Sequence, residues 1–198
     1  MLDETNLSVI RQNFANVVYT KTMHEICKEK EFRKRNRIIY ADIALVTLSL
    51  VAMIFQAFYG FSIFASYLGM LFSILAITLL LIKLNFDPSS AYRQHERAAN
   101  DLYEVREKYI NLMADILQKT SNQDSIIGRR DELVRDTKRV YDTAPFRDRA
   151  SYREAQMRLK KEQTDGEDFT FSDEEIDRFL PSELRISTNR DHNRLTDR

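Results

Sequence analysis

The sequence predicts an all-α membrane protein in which two transmembrane helices form a hairpin and the remaining chain makes a cytoplasmic helical bundle. Three observations support this fold class: an apolar block from residue 38 to residue 82, basic residues beside both ends of the block, and apolar side chains at helical spacing elsewhere. The net charge is zero, from 30 basic and 30 acidic side chains. Global charge therefore does not indicate a nucleic acid or a charged substrate.

The apolar block is long enough for two membrane crossings. Its only ionisable residue is Asp42. A helix rises about 1.5 Å per residue, so about 20 residues cross the hydrocarbon core of roughly 30 Å. Gly60 lies between aromatic residues, and glycine permits the turn that a hairpin needs. We expect spans at about residues 38–58 and 61–83, within a hairpin segment of residues 38–84.

Basic side chains flank the hairpin on both sides. Residues 28–37 contain six Lys or Arg against two Glu, and Lys83 and Arg93 follow the second span, whereas the turn carries no charge. Because basic loops stay on the cytoplasmic side of a membrane, both termini are predicted to be cytoplasmic. The single cysteine, Cys27, fits a reducing compartment of this kind.

Further helices are predicted on both sides of the hairpin. Apolar residues at steps of three and four, from Leu7 to Val17, indicate an amphipathic helix in an N-terminal cytoplasmic domain of residues 1–37. A cytoplasmic helical region is expected over residues 85–185, and residues 186–198 are expected to be a disordered tail. The helices predicted in that region run from 88 to about 119, from about 126 to Pro145, from about 148 to 161, and from a capping box of Ser172 and Glu175 to Pro181.

An apolar seam follows the helix predicted to begin at residue 88. Its members alternate steps of four and three, which lets helices pack side by side. The spacing suits contacts between copies of the chain and contacts within one helical bundle equally well. The seam residues are Ala98, Leu102, Val105, Tyr109, Leu112 and Ile116.

Three polar residues of the first span, Asp42, Ser49 and Gln56, are seven residues apart and therefore lie near one face. An ionisable side chain at the centre of a span costs roughly 2.5–3.5 kcal/mol on insertion scales, less near an end, and normally faces protein or water. Asp42 is expected either to pair with Arg35 or Arg37 or to stand at the mouth of a pore.

A stripe of small residues shares one face of the second span. Small side chains let helices approach closely, and hydroxyl groups can bond across helices, so the stripe is either a packing surface or a pore lining. Two helices cannot enclose a channel, so conduction would require several copies. The stripe consists of Ser62, Ser66, Gly69 and Ser73, continued by Ala76.

No cluster typical of an active site or a metal centre is evident in the sequence. His24 and Cys27 are three residues apart, but two ligands do not complete a metal site. His95 has no nucleophile or second histidine at a useful spacing. The sequence contains no glycine-rich nucleotide-binding turn that would indicate a sensor domain. We therefore expect no enzyme, with no catalytic, metal-binding or cofactor-binding residue and no cofactor.

Charge is divided unevenly after residue 128. Residues 129–161 contain eleven Lys or Arg and six acidic residues, whereas residues 162–185 contain nine acidic residues and two Arg. The two stretches either complement each other within the chain or contact an anionic lipid, an RNA or a nucleotide-bearing partner. Binding of nucleic acid is thus left open.

The order of these features resembles that of the SLATT domains, bacterial effectors with two transmembrane helices that are associated with SMODS and SLOG systems. They occur beside nucleotide-second-messenger synthases and related conflict-system genes. The resemblance covers most of the chain. It rests on a helix before the membrane, the tight hairpin, and several positions after it. Those positions are Ala91, His95, Ala98, Tyr103, the stretch RVYDTAP at 139–145, Tyr152 and Ala155.

The resemblance implies an oligomeric effector of a bacterial defence or conflict system, including antiviral defence. Such an effector would form a pore in the bacterial inner membrane, or disrupt it, when a partner or signal activates it. The implied partners are the lipid bilayer, further copies of the chain, and a sensor protein, nucleotide-signal synthase or reverse transcriptase from the same operon. The alternative is a membrane-anchored helical scaffold that tethers a partner protein.

Overall fold

All regular structure in the described residues is helical. The computed structural model describes residues 2–59, 63–85, 88–159 and 171–186, and no strand occurs among them. The all-α fold class is confirmed. The turn expected at Gly60, the stripe residue Ser62 and residues 187–198 of the expected tail lie outside the described residues. The helices are α1 (Leu2–Tyr59), α2 (Ile63–Asn85), α3 (Pro88–Leu117), α4 (Gln123–Thr143), α5 (Arg149–Leu159), α6 (Asp173–Asp177) and a 3₁₀ turn (Ser182–Leu184).

Helix α1 continues without a break from the predicted amphipathic helix through the predicted first span. The sequence offers no reason for an interruption, because neither Gly nor Pro occurs between residues 2 and 59. The basic stretch of residues 28–37 is therefore helical as well. The chain divides into two compact units: a hairpin unit of residues 28–93, and a helical unit of residues 1–27 and 94–198.

The later helices begin and end where local chemistry dictates. After α3, Lys119 adopts a left-handed φ of 53°, and the Thr120 amide bonds back to the Asp115 carbonyl at 3.2 Å, a Schellman ending. Asn122 caps α4 by accepting a hydrogen bond from the Ser125 amide at 2.9 Å. The capping box predicted at Ser172 and Glu175 is present at the start of α6.

In the hairpin unit, α1 and α2 are long and apolar enough to cross a membrane. The most apolar windows have mean hydropathies of 2.3 and 2.2, and the chain buries only 0% and 6% of them. Side chains such as Phe58 (81% exposed) and Leu84 (73% exposed) point away from the chain. Buried core helices of a soluble protein would not leave this surface open, whereas lipid covers it.

In the helical unit, one hydrophobic core joins α1, α3, α4 and the segment that contains α6. Most of the seam of α3 belongs to it: five of the six seam residues are at most 4% exposed, four of these are members of the core, and Ile116 packs against it. In the described residues, these side chains contact other helices of the same chain. Its core partners include Ile10, Phe14 and Val17 of α1, Ile126 and Leu133 of α4, and Ile176, Leu180 and Leu184.

A buried ion pair fastens the α6 segment to α1. The Arg11 guanidinium is 1% exposed, and its Nη2 donates to Asp177 Oδ1 at 2.7 Å. The same carboxylate oxygen accepts a hydrogen bond from the Ile186 amide at 3.2 Å. Gln12 adds two bonds to the Phe171 backbone, at 2.7 and 3.0 Å. Within residues 171–186, the part of the acidic stretch that the structure describes, Arg11 and Gln12 of α1 supply these contacts.

Replacing Asp177 by alanine leaves the Arg11 charge buried without its nearest carboxylate, so the Asp177→Ala variant should lose about 3–5 kcal/mol of unfolding free energy. The exposed neighbour Glu174 provides a matched control, and Glu174→Ala should change stability by less than about 0.5 kcal/mol. Chemical denaturation of the purified protein, followed by circular dichroism, measures both. Equal effects of the two substitutions would contradict an anchoring role for Asp177.

Candidate functional site

The polar residues of the first span face the second span of the hairpin. Along α1, residues 42, 45, 49, 52 and 56 are half-buried, whereas most of the residues between them are exposed. These positions alternate steps of three and four, the spacing of a helix-packing face. Asp42, Ser49 and Gln56 thus lie on the packing face of the hairpin.

Asp42 forms an ion pair across the hairpin. Lys83 Nζ donates to Asp42 Oδ2 at 2.5 Å, and both side chains are about one fifth exposed, at 23% and 21%. The expectation that Asp42 pairs with Arg35 or Arg37 is wrong. Lys83 follows the whole of the second span, so the folded hairpin brings it level with Asp42, whereas sequence proximity pointed to the arginines of the same helix.

Near the middle of the spans, a hydroxyl pair joins α1 to α2. Ser49 Oγ and Ser73 Oγ are 2.6 Å apart, and the Ser73 hydroxyl lies 2.9 Å from the Gly69 carbonyl oxygen. A methyl group added at Gly69 would lie 3.4 Å from Ala52 Cβ, so the helices are already in van der Waals contact here. This close contact lets two short hydroxyl side chains reach each other across the interface.

The remaining predicted polar residues of the hairpin form fewer hydrogen bonds. Gln56 and Ser66 are half-buried, and within the described residues neither side chain has a hydrogen-bond partner. In contrast, Thr47 and Thr78 face outward and bond to carbonyls one turn earlier in their own helices, each at 2.8 Å. An outward hydroxyl is thereby satisfied without water, as a lipid environment requires.

The helical unit contains a buried pair of histidines that the sequence did not reveal. His24 is fully buried and His95 is 6% exposed, and their Nδ1 atoms are 2.9 Å apart. One ring must donate this hydrogen bond and the other must accept it. Burial lowers the pKa of His24 to about 4, and the nearby charges of Arg147 and His95 add to this effect. His24 is therefore neutral at pH 7.

Cys27 lies one turn after His24 and is also buried, with its Sγ 3.2 Å from Ser151 Oγ. Among the described residues, no group of three or more His, Cys, Asp or Glu side chains is arranged to hold a metal ion. The polar side chains of this region therefore form hydrogen-bonded pairs between helices in the structure.

The chain is a membrane protein of the two-transmembrane-helix class: it has a hairpin of two apolar helices and a unit of amphipathic helices. Over residues 7–175, the chain matches the model of the SMODS and SLOG-associating 2TM effector domain family 4 (SLATT_4), and it belongs to this family. The resemblance found in the sequence is confirmed. The family makes the chain a membrane effector domain associated with SMODS and SLOG conflict systems. Neither the curated proteins nor the solved structures give a significant match.

The buried His24 predicts a stability that depends on pH. The pKa of His24 is about 4 in the folded chain, whereas an unperturbed histidine has a pKa of 6.5. Between these two pH values, the unfolded chain therefore binds more protons than the folded chain. The contribution of His24 to the free energy of unfolding should then be constant above pH 6.5 and fall as the pH drops toward 4. Thermal unfolding at pH 7 and pH 5 measures this. In His24→Gln, the decrease in Tm should be smaller by several degrees.

His192→Gln removes the histidine that lies outside the described residues, and it should keep the pH dependence of the wild type. If His24→Gln and the wild type lost the same Tm between pH 7 and pH 5, the buried imidazole would not be the group that titrates.

Proposed function

We propose that this chain is an oligomeric effector of bacterial defence that opens a pore in the inner membrane, or disrupts that membrane, when a partner or signal activates it. The observation that carries the proposal is the set of polar side chains held between two otherwise apolar helices. Asp42 pairs with Lys83 there, and Ser49 pairs with Ser73. Membership in a family of membrane effector domains supports the same function.

The paired polar face corresponds to a closed state. An ionisable or hydroxyl group that faces lipid without a partner costs free energy, so the pairs between α1 and α2 favour a hairpin whose helices stay together. Separation of the helices becomes favourable only if water or other polar groups replace the lost partners. A water-filled path lined by the same side chains supplies them, and this links helix separation to permeation.

Several copies are needed to enclose such a path, because two helices cannot do so. The seam of α3 is occupied by the core of its own chain, so we place contacts between copies on the outward apolar surface of the hairpin. There, Ile43, Met53 and Met70 are more than half exposed. In this proposal the helical unit lies on the cytoplasmic side with both termini, where it receives the activating signal and acts without catalysis.

A disulfide across the hairpin tests the proposal. In a Cys27→Ala background, Ser49→Cys and Ser73→Cys place two thiols where the hydroxyl oxygens are 2.6 Å apart. A disulfide joins Cβ atoms about 3.5–4.5 Å apart, a distance that these positions allow. At high protein density in liposomes, the reduced variant should release a trapped dye. The oxidised variant should release no more than empty liposomes, because its helices cannot separate.

Thr47→Cys in the same background is the matched control, since its side chain faces away from α2 and cannot be joined to it within one hairpin. Its dye release should not depend on oxidation. Tight liposomes with the reduced double variant at every density, or equal release from its oxidised and reduced forms, would contradict the proposed pore.

A membrane-anchored scaffold is the second candidate. It is favoured by the same pairs, because Asp42, Lys83, Ser49 and Ser73 find their partners within one chain and need no other copy for this. A tether would work equally well with its hairpin locked. In cells, the oxidised Ser49→Cys/Ser73→Cys variant would therefore keep the activity of a scaffold and lose that of a pore.

A further inference from the structure

The helical unit contains a cavity of about 710 Å³ that neither the hairpin nor the proposed pore uses. Its volume lies within the range of about 300–1,000 Å³ that is typical of small-molecule sites. Helix α1 supplies one wall, while α3, α4, α5 and the connection between α4 and α5 supply the others. The stretch of residues 139–145, on which the family resemblance partly rests, reaches the cavity through Tyr141.

Five aromatic residues line the cavity: Tyr19, Tyr109, Tyr141, Phe146 and Tyr152. Tyr19 and Tyr152 are in edge contact, with ring centroids 5.5 Å apart, and Tyr109 is 1% exposed at the base. Phe146 also lines the cavity, although it is 90% exposed. Aromatic rings that line a site can stack on planar ligands, and Phe146 is the most exposed ring of this lining. The shape and lining therefore suit a flat ring.

Polar groups without partners face the same space. The amides of Asn13 and Asn16 line the cavity, are half-buried, and have no hydrogen-bond partner within the described residues. Arg147 Nη1 is a buried atom that likewise has no partner there. Buried polar groups in native proteins are nearly always hydrogen-bonded, so Arg147 Nη1 calls for a partner, and the two half-buried amides that line the same cavity can bond the same ligand.

The charge of the lining is positive. It contains Lys138, Arg147 and Arg149 against Asp148. Lys138 is already bound to Asp142, at 2.5 Å, outside the lining. Arg147 is held over the Tyr141 ring, 5.6 Å from its centroid. An arginine that stacks on an aromatic ring keeps its guanidinium edge available for a carboxylate or phosphate.

We propose that this cavity binds a planar aromatic or heteroaromatic molecule that carries one acidic group, a phosphate or a carboxylate. The ring stacks among the tyrosines, the acid bonds the Arg147 guanidinium, and the amides of Asn13 and Asn16 bond polar atoms at the edge of the ligand. The proposal concerns binding alone, so it stands or fails independently of pore formation.

Equilibrium dialysis of the full chain in phosphatidylcholine nanodiscs tests the proposal, with empty nanodiscs as the baseline. The probes are 1-naphthyl phosphate, 1-naphthoate, uncharged 1-naphthol and inorganic phosphate. At least one of the two aromatic acids should bind, and more tightly than either naphthol or inorganic phosphate. Arg147→Gln should weaken binding of that acid by about tenfold or more and change naphthol binding little, because a bond to a charged group is lost.

Arg153→Gln is the matched control, since Arg153 is exposed on α5 and is not part of the lining. It should bind all probes as the wild type does. Val134→Trp fills the cavity from its partly exposed side and should weaken every aromatic probe, with circular dichroism confirming that the variant folds. Binding no greater than to empty discs, equal binding by Arg147→Gln and Arg153→Gln, or inorganic phosphate as tight as the aromatic acids would overturn the proposal.

Discussion

Polar side chains inside an apolar hairpin need partners, and this constraint organises the membrane part of the protein. Lipid offers no hydrogen bonds, so Asp42 and Lys83 satisfy each other, as do Ser49 and Ser73. The pairs also fix how α1 and α2 face each other, because another register would leave an ion alone in lipid. Outward hydroxyls bond their own helices instead. One requirement thus accounts for the ion pair, the serine pair and the outward threonines.

The helical unit uses a similar principle with different groups. Its apolar core joins α1 to α3 and α4, but the segment after residue 171 is short and needs more than apolar contacts to stay attached. Arg11 and Asp177 supply that attachment, and Gln12 bonds the backbone where the segment begins. The hydrogen-bonded pair of His24 and His95 connects α1 to α3. Each of these hydrogen bonds involves α1, so α1 connects the other segments of the unit.

The local features of the fold could be predicted from the sequence, whereas contacts between distant segments could not. Spacing and composition indicated the two apolar helices, the seam of α3 and the capping box at Ser172, since each depends on residues close together in the chain. The partner of Asp42 was missed because Lys83 is 41 positions away and is brought near only by the hairpin. The cavity has a signal in the sequence: Asn13, Asn16 and Thr20 repeat at steps of three and four, beside the apolar face of the same helix.

The central claim is that the face of α1 that meets α2 is dry at rest and wet during permeation. Single cysteines at Ser49 and at Leu50, in a Cys27→Ala background, test it through their reaction rate with a water-soluble thiol reagent in liposomes. Ser49→Cys should be protected in tight liposomes and should react during dye release, while Leu50→Cys, on the lipid side and 54% exposed within the chain, should stay protected in both states. Equal reaction at the two positions, or protection of Ser49→Cys during dye release, would contradict the claim.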